Sequence, residues 1–156
     1  MNLVEVSMED GSEHEELIGS SCYGLLGLLG IDNAELSVVL TNDAGISALN
    51  SQWRDMDTAT DVLSFPQMGD KGPPGMPLLL GDIVISHETA AKQARDLGHA
   101  IEDELRVLLV HGLLHLLGHD HLEEQEAHAM RVAEAQLIRG LWPDLSGLID
   151  RAAGSD

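Results

Sequence analysis

Residues 101–121 read IEDELRVLLVHGLLHLLGHDH, and they hold one long helix, the glycine that stops it and four histidines. Ile101, Leu105, Leu108, Leu109 and Gly112 recur at steps of three and four, the period of a helix with one buried face. The pattern predicts a helix over 101–117 that ends at Gly118, because glycine accepts the left-handed backbone of a sharp turn.

On the C-terminal side, a last helix is predicted over about 123–139, stopping before Gly140 and Pro143. The chain from Ser146 onward reads as a flexible tail. On the N-terminal side, Ser86 is a good N-cap for a helix over 87–97 closed by Gly98. Before it come two strands, 61–65 ended by Pro66 and 79–86. The segment 67–77 between them holds three of the five prolines and three glycines, which marks it as a loop, and the flanking strands are expected to pair as a hairpin. Residues 36–40 read as a strand, after which Thr41, Asn42 or Asp43 can cap a helix through about Trp53. Residues 2–7 alternate as a strand, and 13–29 read as a helix despite Gly19, Gly24 and Gly27. Strands come mostly first and helices mostly last, which predicts an α+β fold. The expectation is a single domain over 1–145 with about five helices, a metal site at the end of the central one, and a tail over 146–156.

Composition narrows the function classes. Eight Lys and Arg against 27 Asp and Glu give a formal net charge of −19. Such a surface repels nucleic acid at long range, although a bound metal or a local cationic patch can reverse the field in one cleft. No apolar run approaches the ~20 residues that span a bilayer, so no membrane partner is expected. The opening MNLVE lacks the basic and apolar segments of a secretory signal. Cys22 is the only cysteine; it can form no internal disulfide, which agrees with a reducing cytoplasm, and it reads as a buried thiol.

The histidines carry the chemistry. His111 and His115 lie four apart on the predicted helix, so their rings project from one face, one turn apart. At that spacing two ring nitrogens can reach one ion at about 2.0–2.1 Å. A turn at Gly118 can swing His121 back toward them. Three nitrogen ligands leave a fourth tetrahedral position open, the catalytic rather than the structural arrangement. A histidine-rich but inert helix end is the alternative, and three histidines aimed at one point are hard to explain by packing. His119 is four from His115 and could replace His121, but Gly118 ends the helix before it. Asp120 is either an acceptor that fixes an imidazole tautomer or a solvated turn carboxylate.

The His-x-x-x-His spacing also occurs in metallopeptidases, where a Glu follows the first histidine and serves as general base. Here that position is Gly112, which argues against peptide hydrolysis by that route. Glu104 lies nearly two turns earlier and faces elsewhere. An enzyme built this way relies on its metal to lower the pKa of a water, with cationic help for the developing charge.

Residues 111–121 match at every fixed position the segment His-Gly-x-Leu-His-Leu-x-Gly-[Tyr/His]-Asp-His, and in this the chain resembles the YbeY-type endoribonucleases. Leu49-Asn50 with Trp53-Arg54, the run Thr60-Asp61-Val62-Leu63-Ser64-Phe65-Pro66, and Leu80-Gly81-Asp82-Ile83-Val84-Ile85 are similar to further segments of that family. The resemblance covers roughly residues 35–140. It implies a mixed sheet of about four strands beside the metal helix. It also implies a zinc-dependent, single-strand-specific endoribonuclease acting in 16S ribosomal RNA 3′-end maturation and ribosome quality control. It assigns one Zn2+ per chain to His111, His115 and His121, and a functional role to Arg54. The partners it implies are single-stranded ribosomal RNA and ribosomal proteins or the small ribosomal subunit, in the cytoplasm. A guanidinium at 54 can grip a phosphate bidentately; the alternative is a solvated arginine beside Asp55 and Asp57. Two other functions stay open on the residues alone: another metal-assisted, metallopeptidase-like hydrolase, and a non-catalytic ribosome assembly factor with a structural metal.

Overall fold

Period-2 burial builds the sheet from its first strands. β1 (Leu3–Met8) turns Val4, Val6 and Met8 to one side. β2 (Ala34–Thr41) turns Leu36, Val38 and Leu40 to the same side, where all three are buried. The two strands run parallel, with Val4 beside Leu36 and Val6 beside Val38. A parallel pair needs a crossover, and α1 (Glu15–Leu28) supplies it by laying Ile18, Cys22, Leu25 and Leu26 on that apolar face. Burial pushes the Cys22 thiol up to about 12, because a thiolate there would lose its solvation; the thiol is inert at neutral pH.

The computed structural model describes residues 1–9, 14–54, 60–67, 76–118 and 124–148, with the side chains of 53, 54 and 146–148 outside the described set. α2 (Asp43–Arg54) follows β2, and β3 (Val62–Pro66) and β4 (Leu78–Ser86) then pair antiparallel, as the hairpin reading expects. β4 also runs parallel to β2, giving a mixed four-stranded sheet in the order β1-β2-β4-β3. Three more helices complete the α+β fold: α3 (His87–Leu97), α4 (Ile101–Leu116) and α5 (Glu124–Leu141). A 3-10 helix over Pro143–Leu148 carries the chain past the point where the tail was expected to start; residues 149–156 lie outside the described set.

The sheet separates two apolar layers. The larger holds α1, α4 and α5 over Leu36, Val38, Leu40, Ile83 and Ile85. The smaller lies on the other face, where α2 packs Ile46 against Leu63 and Val84. α4 is central: it touches α1, α3, α5, β3 and β4, and Leu105, Leu108, Leu109, Val110, Leu113 and Leu114 are all buried. A helix apolar around most of its circumference belongs in such a position. Glu104, its one fully buried charged side chain, accepts a hydrogen bond from His99 Nε2 at 2.7 Å, so it ties the α3–α4 turn to the helix. Seven residues before His111, it lies on the same side of α4 about two turns away, which corrects the expectation that it faces elsewhere.

Local chemistry sets the helix ends. Asn42 Oδ1 accepts the Gly45 N–H at 2.8 Å, which selects Asn42 from the three candidate caps of α2. Ser86 Oγ accepts the Thr89 N–H at the start of α3, and Gly98 closes that helix in the left-handed conformation. Asp43 locks the two N-termini together. Its Oδ1 accepts from the Ser86 and Thr89 hydroxyls at 2.5 Å each, and its N–H donates to Glu88 Oε1 at 2.8 Å. α5 runs through Gly140 instead of stopping before it. A Cβ at 140 would come within 2.6 Å of Leu28 Cδ2, so this glycine marks a close approach of α5 to α1. Among the described residues, no helix is long and apolar enough to cross a membrane.

Candidate metal centre

α4 delivers the two histidines as its spacing predicts. The ring centroids of His111 and His115 lie 4.8 Å apart with planes inclined by 66°, and their Nε2 atoms are 3.2 Å apart. Two nitrogens on one tetrahedral zinc, each at the usual bond length, are separated by about 3.3–3.4 Å. The pair therefore has the spacing that a shared ion requires.

Behind this pair stands a residue that sequence reading missed. Glu134, on α5, accepts a hydrogen bond from His111 Nδ1 at 3.0 Å. Its side chain is only 4% exposed, and its second oxygen, Oε2, is buried without a hydrogen-bond partner. The placement follows from the helix. Met130, Glu134, Leu137 and Ile138 form the buried stripe of α5, so a glutamate occupies a position where an apolar side chain would pack. The available signal was that stripe, in which one member is charged.

Gly112 has a packing reason. A Cβ there would lie 2.9 Å from Ile83 Cγ2 and 3.3 Å from both Ser64 Oγ and Val62 Cγ2. Ser64 Oγ donates to the Gly112 carbonyl at 2.8 Å. The turn of α4 that carries His111 is thus seated directly on β3 and β4. A glutamate at 112, the metallopeptidase general base, has no room in this arrangement.

α4 ends as expected. Gly118 takes φ +99°, and its N–H donates to the His115 carbonyl at 3.0 Å. His119, Asp120 and His121 lie outside the described residues, as does the side chain of Arg54, whose backbone ends α2. Among the described residues no third His, Cys, Asp or Glu completes a metal set around His111 and His115. The two histidines nevertheless fit a metal: their nitrogens converge at ligand spacing, and a buried carboxylate with an unmatched oxygen sits at the back of one ring.

Residues 8–141 match the family model for Endoribonuclease YbeY. The chain belongs to the YbeY family. It is 46% identical over 130 residues to the endoribonuclease YbeY of Anaeromyxobacter dehalogenans, covering 83% of this chain and 66% of that protein. The YbeY of Myxococcus xanthus is 44% identical over 145 residues, covering 90% and 49%, and that of Agrobacterium fabrum 47% over 123 residues, covering 78% and 70%. The chain thus spans about two thirds of the length of the first of these YbeY proteins and about half of the second. The solution structure of TM1509 from Thermotoga maritima superposes with a TM-score of 0.66 at 25% identity, over 99% of this chain and 97% of that one.

Proposed function

We propose that this YbeY family member is a zinc-dependent, single-strand-specific endoribonuclease that acts in 16S ribosomal RNA 3′-end maturation and ribosome quality control. The observation that carries the reading is the 3.2 Å approach of the His111 and His115 Nε2 atoms, with Glu134 holding the far side of the His111 ring. The names of the relatives support the RNA substrate.

In this reading His111, His115 and His121 hold one zinc per chain. When bound, the metal lowers the pKa of a water and polarises a phosphoryl oxygen. The remaining work falls to the chain's own side chains. α4, packed on the sheet through Gly112, keeps two ligands at fixed spacing. Arg54 offers a planar fork of donors to a phosphate and balances the charge that develops there. Because the chain carries −19 overall, it has few phosphates it can neutralise; ribosomal proteins or the small subunit would supply further cationic surface. A cytoplasmic location goes with that substrate. The crowding at Gly112 disfavours a metallopeptidase.

The test is zinc analysis of the purified chain together with cleavage of single-stranded and duplex ribosomal RNA. About one zinc per chain is expected, with cleavage of the single strand that disappears in His115→Ala. A wild-type protein that shows no metal-dependent cleavage with ribosomal partners present would favour the assembly-factor reading instead.

A further inference from the structure

We infer that Glu134 is a positioning residue for the metal: it fixes the tautomer and orientation of His111 and supplies the negative charge that a dication on the other side of that ring would balance. This rests on the metal reading above.

The geometry supports the assignment in three ways. An ionised carboxylate only accepts hydrogen bonds, so the 3.0 Å contact requires the His111 proton to be on Nδ1. The lone pair is then on Nε2, the atom that faces His115. A carboxylate behind a ligating imidazole in this way orients the ring and raises its basicity.

Cost is the second argument. Glu134 occupies the apolar stripe of α5 between Met130 and Leu137, with Oε2 buried and unmatched. A buried carboxylate with one hydrogen bond destabilises a fold relative to a well-packed neutral side chain. The residue therefore works against the stability of the metal-free protein, and a bound dication offsets that cost.

The third argument concerns what Glu134 does not do. Nδ1 and Nε2 lie on opposite sides of an imidazole, so the carboxylate touching Nδ1 sits behind the ring. It does not face the point where the two Nε2 atoms converge, and it is not placed to take a proton from a reacting group there.

The experiment compares the full-length wild type with Glu134→Gln and Glu134→Leu. Zinc affinity is measured by competition with a chromophoric chelator, melting temperature on metal-free protein, and the His111 tautomer by long-range 1H–15N correlation. Zinc affinity should fall in the order wild type, Gln, Leu, by about 10- to 100-fold for the weaker variant. The metal-free melting temperature of Glu134→Gln should be no lower than that of the wild type. A residue with only a structural role would lower the melting temperature and leave zinc affinity unmoved. Equal zinc affinity in all three proteins, or a wild-type His111 carrying its proton on Nε2, would overturn this inference while leaving the metal reading intact. A wild type that binds no zinc would overturn both.

Discussion

Ser64 on β3 donates its hydroxyl proton to the carbonyl of Gly112 on α4, 2.8 Å away. Through this bond the edge hairpin holds the helical turn that begins with His111. The contact is possible because residue 112 has no side chain. Gly112→Ala sets two effects against each other. Alanine gains about 1 kcal/mol of helix propensity, while its methyl would be driven to 2.9 Å from Ile83 Cγ2. Ile83 is fully buried and its β-branched side chain has few alternative rotamers, so overpacking costs about 1–3 kcal/mol. The net expectation is a loss of stability in urea unfolding. A more stable Gly112→Ala would show that the helix can lift off the sheet at little cost. Ser64→Ala should lose about 0.5–1.5 kcal/mol.

The metal assignment is tested ligand by ligand. His111→Ala, His115→Ala and His121→Ala should each abolish tight zinc binding, and His119→Ala should not. Zinc retained by the His121 variant and lost from the His119 variant would exchange their roles. Removal of zinc by chelation should lower the melting temperature, since a ligand bound only by the folded state stabilises it by mass action.

The two histidines proposed as ligands on α4 should differ in the metal-free protein. His111 is the hydrogen-bond partner of buried Glu134. His111→Ala removes that partner, whereas His115→Ala leaves the Glu134 contact in place. Leaving a buried acceptor unsatisfied costs about 1–3 kcal/mol, so metal-free His111→Ala should be less stable than metal-free His115→Ala by about that amount. Equal unfolding midpoints would mean that water or a rearranged side chain satisfies the carboxylate.

Asp43 predicts a pH dependence. Hydrogen bonds from the Ser86 and Thr89 hydroxyls hold its carboxyl below the usual range. A carboxyl whose pKa is lower folded than unfolded adds stability that is fully present above the unfolded value of about 3.9 and is lost as pH falls from there through the lower folded value. Wild type should therefore lose stability below about pH 5 more steeply than Asp43→Asn, which has no charge to lose. Parallel curves of unfolding free energy against pH for the two proteins would remove Asp43 from the acid response.

Much of this molecule is legible in the chain because local rules decide it. The helix period of 101–117, the stop at Gly118 and the His111–His115 spacing all depend on residues a few positions apart. So does the Ser86 cap of α3. What stayed hidden depends on distant partners. Gly112 read only as a missing base, because Ser64 and Ile83, which explain it, arrive from another part of the chain. Glu134 lies 23 residues beyond His111 and follows Glu123, Glu124 and Glu126, so its composition resembles a solvated helix start; only its place on the Met130–Ile138 stripe sets it apart. The β3–β4 hairpin could be read from its loop, whereas the parallel pairing of β2 with β4 could not, because α2 and β3 intervene.

The last prediction separates catalysis from scaffolding. Arg54 is one of eight basic side chains among 27 acidic ones, and its backbone closes α2. If it grips a phosphate, its loss should leave the metal in place and remove charge stabilisation from the reaction. Arg54→Ala should cut cleavage of single-stranded RNA by about 10²-fold or more, the scale seen when one charge-stabilising donor is removed. Zinc content and melting temperature should stay near wild type, because Arg54 is not proposed as a ligand. Arg54→Lys keeps the charge but loses the two-pronged hydrogen bonding, so it should recover only part of the rate. Added salt should weaken RNA binding with a shallow slope, since so acidic a chain can neutralise few phosphates. Wild-type cleavage by Arg54→Ala would remove this residue from the mechanism, and a steep salt slope would show a cationic surface that the net charge conceals.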